Sequence, residues 1–147
     1  MFSKSCNYAI KACIFIAKQS LEDKKVGFID ISKEIDSPQA FTAKILQLVV
    51  KEGIIDSVKG VNGGFYIPKK RISNIYLSQI VSAIDGDAVF KGCGIGLSHC
   101  SEDHPCPVHD KFKDKWYLYS GYNKVAGKYR LNRYDKDFIN EKEYLEN

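Results

Sequence analysis

Three thiols and three imidazoles crowd one stretch of this sequence, from Gly92 to His109. Cys93, Cys100 and Cys106 fall within fourteen residues, and His99, His104 and His109 are all the histidines of the chain. Soft thiolates beside imidazole select zinc or iron-sulfur chemistry over hard cations such as magnesium or calcium. Gly92, Gly94, Gly96, Pro105 and Pro107 rule out a regular helix or central strand, so these donors sit on a loop that can wrap around one object. Structural zinc takes cysteines about two to four residues apart. Here six residues separate Cys93 from Cys100 and five separate Cys100 from Cys106, a spacing that leans to an iron-sulfur cluster, with zinc the competitor. Nucleophilic catalysis by a Cys and His pair would need an oriented base, and no such base, nucleotide loop or paired carboxylates accompany them; an enzyme is not expected.

The elements that must position such a loop follow from the rest of the chain. At 147 residues, with 44% hydrophobic and 12% aromatic content, the chain supports one small domain with an appended element. No run of about eighteen apolar residues exists to span a bilayer. Lys4, Asn7, Lys11 and Lys18 interrupt any signal-peptide core, so a cytoplasmic location and no membrane partner are expected. In a reducing compartment, five cysteines, an odd count, read as ligands or sensor thiols and not as a disulfide framework. Residues 1–75 carry 12 Lys and Arg against 7 Asp and Glu, while residues 76–147 carry 10 against 11. The basic half therefore suits a polyanion.

Ser3 to Gln19 places Cys6, Ile10, Cys13 and Ala17 on one helical stripe that Ala9 and Ile16 widen. After a solvated connection, Val26–Ile29 reads as a short strand, and Asp30 as the cap of a brief helix carrying Ile31 and Ile35. Ser37 caps the next helix, with Pro38 at its first position and Gly53 beyond its end. Its expected buried face is Phe41, Ile45, Leu48 and Val49, leaving Gln39, Thr42, Lys44, Gln47 and Lys51 outward. Two helices joined this way form a helix-turn-helix, whose second helix enters a DNA major groove.

Ile54–Val58 and Phe65–Ile67 then alternate as strands around the turn Gly60–Gly64, which predicts a hairpin after the recognition helix, hence a wing. The expected DNA contacts are Gln39, Thr42 and Lys44 near base edges, and Lys59, Asn62 and Gly63 at the backbone or minor groove, the glycine allowing close approach to a phosphate. Lys69-Lys70-Arg71 is a basic cluster, either phosphate-neutralising or simply solvated. Leu77, Ile80, Val81 and Ile84 mark another short helix before the cysteine loop. Beyond the loop, Val108, Phe112, Trp116 and Tyr119 form an aromatic stripe running to Gly127, suited to burial against a second copy.

The expected fold is thus mostly α with a small β-hairpin. A winged helix-turn-helix domain (1–90) is followed by a cysteine-rich loop (91–107), a long dimerisation helix (107–127) and a charged tail, a helix fragment or partly disordered (128–147).

Tyr8-Ala9-Ile10, Phe41-Thr42-Ala43-Lys44-Ile45-Leu46-Gln47, Ser57-Val58-Lys59-Gly60-Val61-Asn62-Gly63-Gly64-Phe65 and the set Cys93, Cys100, Cys106 and His109 together resemble the Rrf-two family of bacterial winged-helix regulators, over roughly residues 1–127. The resemblance implies a homodimeric transcription factor bound to double-stranded operator DNA, joined through helix 107–127. Its cluster-binding branch holds an iron-sulfur cluster through three loop cysteines and responds to nitric oxide, redox state or iron-sulfur status. The alternative within the family is a cluster-free regulator that responds through thiol redox, zinc or a partner protein. Lys59 stands where the family commonly has arginine, which keeps charge and loses bidentate bonding. Asn7 stands where a nitric-oxide-sensing member uses an aspartate as fourth ligand, whereas the spacing of Cys106 to His109 matches another cluster-binding branch. The implied ligand set is therefore Cys93, Cys100, Cys106 and His109, with His99, His104 and Cys6 as lesser alternatives for the fourth position. A 2Fe-2S cluster stands ahead of a 4Fe-4S one, and zinc is a possible substitute after aerobic handling.

Overall fold

The computed structural model describes residues 2–87, 97 and 103–109 of the chain. Helix α1 (Lys4–Leu21) starts at Ser3, whose hydroxyl accepts the Cys6 N–H as an N-cap. The small residues Cys6, Ala9, Cys13 and Ala17 line its buried face, as the stripe predicts, joined by Ala12, which the stripe does not include, while Ile10 is only half-buried. Small side chains let the neighbouring helices approach closely. Asp23, with φ at 60°, ends the helix in the left-handed conformation that favours a short polar side chain after a last turn.

Helix α2 (Phe28–Glu34) begins a full turn earlier in its logic than Asp30 suggests, because Gly27 is the cap and Asp30 lies inside the first turn. The expected strand at Val26–Ile29 shrinks to a single bridge, Val26 to Phe65. Helix α3 (Gln39–Lys51) is capped by Pro38 and not by Ser37, whose buried hydroxyl has no hydrogen-bond partner. The turn between α2 and α3 passes through Asp36 at φ 50°. A β-carbon is strained there, so Asp36→Ala is expected to be less stable than Asp36→Gly by about 1–2 kcal/mol in urea unfolding. Equal stability of the two variants would mean that the turn does not hold this conformation.

Strands β1 (Asp56–Val58) and β2 (Gly64–Tyr66) pair antiparallel, Asp56 opposite Tyr66 and Val58 opposite Gly64. Val26 extends this pair on the far edge, exchanging backbone bonds of 3.0 and 2.8 Å with Phe65. One further helical turn, α4 (Lys69–Ile72), was not foreseen, and α5 (Leu77–Asp85) matches its expected apolar positions. Ile16, Ile31, Leu46, Ile55, Ile67, Ile72 and Ile80 are fully buried and join all these elements in one core.

Two of the three residues of the basic cluster have structural partners. Lys69 pairs with Asp23 at 2.6 Å. Arg71 reaches both Asp56 oxygens at 3.2 and 3.3 Å and donates to the Gly53 and Ile54 carbonyls at 3.0 and 3.1 Å, so it ties the turn after α3 to the start of β1. The expected helix 107–127 beyond His109, the tail 128–147, and Cys93 and Cys100 lie outside the described residues.

Candidate nucleic-acid interface

The face that α3 turns outward decides which of its side chains can read DNA. Thr42, Ile45, Leu46 and Val49 are buried, while Gln39, Ala40, Lys44, Gln47, Leu48 and Lys51 are exposed. The helix is therefore rotated relative to the expected face: Leu46 replaces Leu48 in the core, and Phe41 is half-buried at the shoulder. Thr42 must be corrected as a base contact. Its side chain is 0% exposed and its hydroxyl donates to the Pro38 carbonyl at 3.1 Å, which satisfies the polar group inside the helix. Ala40, Lys44, Gln47 and Lys51, spaced four, three and four apart, form the central outward ridge.

The wing turn stands beside this helix in the chain and is closed by the Gly63 N–H donating to Gly60 at 3.0 Å. Lys59, Gly60, Val61 and Asn62 are exposed at its tip, with Val61 at 105%. Gly63 has a structural role in the wing beside the close approach expected of it. A β-carbon there would lie 2.2 Å from the Val58 carbonyl oxygen, so the glycine is demanded by the wing's own backbone and its N–H is already used. Gly64, at φ 137°, similarly packs against Val26. Two exposed apolar residues on this face, Leu48 and Val61, are not among the expected contacts: the helical pattern assigns Leu48 to the buried face, and Val61 reads only as part of the wing turn.

In the cysteine loop, Pro107 and Val108 form a turn, and the His109 N–H donates to the Cys106 carbonyl at 2.9 Å. Cys106 and His109 are thus one helical turn apart, both half-buried, and Cys106 is a free thiol. His104 is exposed. Among the described residues no three ligating side chains come together, since two of the three loop thiols lie outside them. Cys6, the remote alternative for the fourth ligand, is fully buried near the start of α1. Burial first, and then the Asp85 carboxylate, push its thiol up to about 12, and burial does the same to Cys13. Both stay neutral near pH 7 and serve as small apolar fillers. Asp85 also accepts the Ser3 N–H at 2.8 Å and the Ser3 hydroxyl, tying the start of α1 to the end of α5.

A helix-turn-helix followed directly by a two-stranded wing defines a winged-helix, DNA-binding class of protein. The profile of the Rrf2 family, described as an iron-dependent transcriptional regulator, matches residues 2–116. This chain belongs to the Rrf2 family, whose members are transcriptional regulators and not enzymes. An HTH-type transcriptional regulator of Aquifex aeolicus is 31% identical over 116 residues, 78% of each chain. The regulator IscR of Klebsiella pneumoniae is 28% identical over 107 residues, 73% of this chain and 64% of its own length. Among solved structures, the cysteine regulator CymR of B. subtilis superposes with a TM-score of 0.65 at 16% identity, covering 90% of this chain and 93% of that one. The T. potens IscR gives 0.62 at 16% identity, covering 100% and 91%. No helix among the described residues is long and apolar enough to cross a membrane.

Proposed function

We propose that this regulator acts in the cytoplasm as a homodimer, joined through residues 107–127, and that its loop holds an iron-sulfur cluster that reports nitric oxide, redox state or iron-sulfur status to operator DNA. The observation that carries the DNA part is the outward ridge Ala40, Lys44, Gln47 and Lys51 on α3, followed in the chain by a wing with Lys59 and Asn62 at its exposed tip. Gln39 and Lys44 face base edges in a major groove, and Lys59 and Asn62 meet the backbone or minor groove. In a dimer, two such helices must match half-sites about 34 Å apart, one turn of DNA.

The donor set of the loop fits a cluster. Cys93, Cys100 and Cys106 supply thiolates and His109 an imidazole, and the last two already share one turn of backbone. When bound, a cluster supplies a redox-active iron centre whose state depends on oxidant and iron supply. The loop joins the winged domain to the proposed dimer helix, so ligation by these side chains fixes where that helix begins and hence the separation of the two recognition helices.

The test uses a duplex selected by this protein from a random library. Wild type and Cys100→Ala, both reconstituted anaerobically, are titrated with that duplex before and after nitric oxide. Wild type is expected to be brown and to change affinity by about tenfold, within the range of ordinary allosteric coupling. Cys100→Ala is expected to lack both the colour and the change. A colourless wild type whose affinity ignores nitric oxide would favour the cluster-free regulator, and absence of any selective binding would sink the DNA reading itself.

A further inference from the structure

Helix α1 carries three lysines, Lys4, Lys11 and Lys18, and no carboxylate. They recur every seven residues, close to two helical turns, so they share one ridge; Lys4 and Lys11 are exposed and Lys18 is half-buried. Lys4 sits in the first turn, where the helix dipole favours an anion and disfavours a cation. Its ammonium lies 5.9 Å from the centre of the Tyr8 ring. Tyr8 in turn meets Phe41 of α3 edge to face, with ring centres 5.8 Å apart at 78°. Phe41, half-buried at the shoulder of the recognition helix and packed against the core, lies one turn before the exposed Lys44. A chain of contacts therefore runs from a cation that its own helix disfavours to the shoulder of the helix that enters the major groove.

We propose that the start of α1, through Lys4 and then Lys11, is a second phosphate-binding surface that grips the DNA backbone along the wall of the groove read by α3. This rests on the DNA-binding reading above and adds a partner surface to it. The duplex backbone flanks the groove on both sides of an inserted helix, and the Tyr8–Phe41 contact holds Lys4 to one such flank. Both lysines then contribute to affinity for any sequence and to its salt dependence, without selecting bases.

The test is titration of a mixed-sequence duplex of about 30 base pairs across a range of salt, where each phosphate contact adds about 0.9 to the slope of log affinity against log salt. Lys4→Gln with Lys11→Gln is compared with wild type, with Lys59→Gln as the wing control. The double variant is expected to bind about five- to twentyfold more weakly at low salt and to lose close to two units of slope per bound subunit. Its melting temperature is expected to stay within a few degrees of wild type, because Lys4→Gln removes a cation that the helix start disfavours while giving up its contact with the Tyr8 ring. Loss of affinity with unchanged stability separates a contact role from a folding role. If the double variant keeps the wild-type slope while Lys59→Gln lowers it, the second surface does not exist. If wild type binds no duplex at any salt, the DNA reading fails, and this surface with it.

Discussion

Gly63→Ala is expected to weaken operator binding by tenfold or more while leaving the helical core folded. The added carbon would lie 2.2 Å from the Val58 carbonyl oxygen and 2.9 Å from that of Gly60. Both obstacles are backbone, so no rotamer change relieves them, and the turn must open. Only three residue pairs join β1 to β2, and an opened turn leaves little to hold the tip in place. The cost to stability is about 1–3 kcal/mol, in the range of other enforced backbone distortions. Circular dichroism is expected to keep its helical signal, with affinity falling for every duplex because Lys59 and Asn62 lose their position together. Asn62→Ala, which removes one contact and spares the turn, is the milder comparison. Full affinity in Gly63→Ala would mean that the wing does not touch DNA.

The second large effect separates two neighbours on α3. Leu46 is 0% exposed and Leu48 is 37% exposed. Truncating a fully buried leucine removes its transfer energy and leaves a cavity, about 2–5 kcal/mol together, so Leu46→Ala is expected to destabilise by about 3 kcal/mol. Leu48→Ala is expected to cost less than about 1 kcal/mol, because water already reaches that side chain. Chemical denaturation of both variants measures the rotation of the recognition helix directly. The reverse order would restore Thr42 to the outward face and require a new list of base contacts.

That rotation is also where the sequence was hardest to read. Phe41, Ile45, Leu46, Leu48, Val49 and Val50 surround α3 with apolar residues, and two different stripes satisfy a helical period equally well. The choice turns on Thr42, whose hydroxyl finds the Pro38 carbonyl and can therefore be buried. The start of α2 was misplaced for a non-local reason, since Val26 pairs with Phe65 and the chain turns helical immediately after it. Helix α4 was missed because nothing within Lys69-Lys70-Arg71 announces that Arg71 will meet Asp56 and two carbonyls. By contrast, α1, α5 and the hairpin were legible, because their apolar spacing and turn glycines are local signals. In the cysteine loop, spacing and residue type pointed to soft-metal chemistry, but they left the fourth ligand open, because a ligand is chosen by how distant parts of the loop converge.

Ser20, buried on α1, donates to the Ile16 carbonyl at 2.7 Å and accepts the Ile67 N–H at 2.9 Å across 47 residues of sequence. With the Val26 to Phe65 bridge, it fastens the middle of β2 and the residue just after it to the first helix and the segment that follows that helix. The wing is consequently part of the same cooperative unit as α1, not an independently flapping arm. The tip thus stands on a footing shared with α1, and a partner bound at the tip is expected to suppress local opening of the first helix.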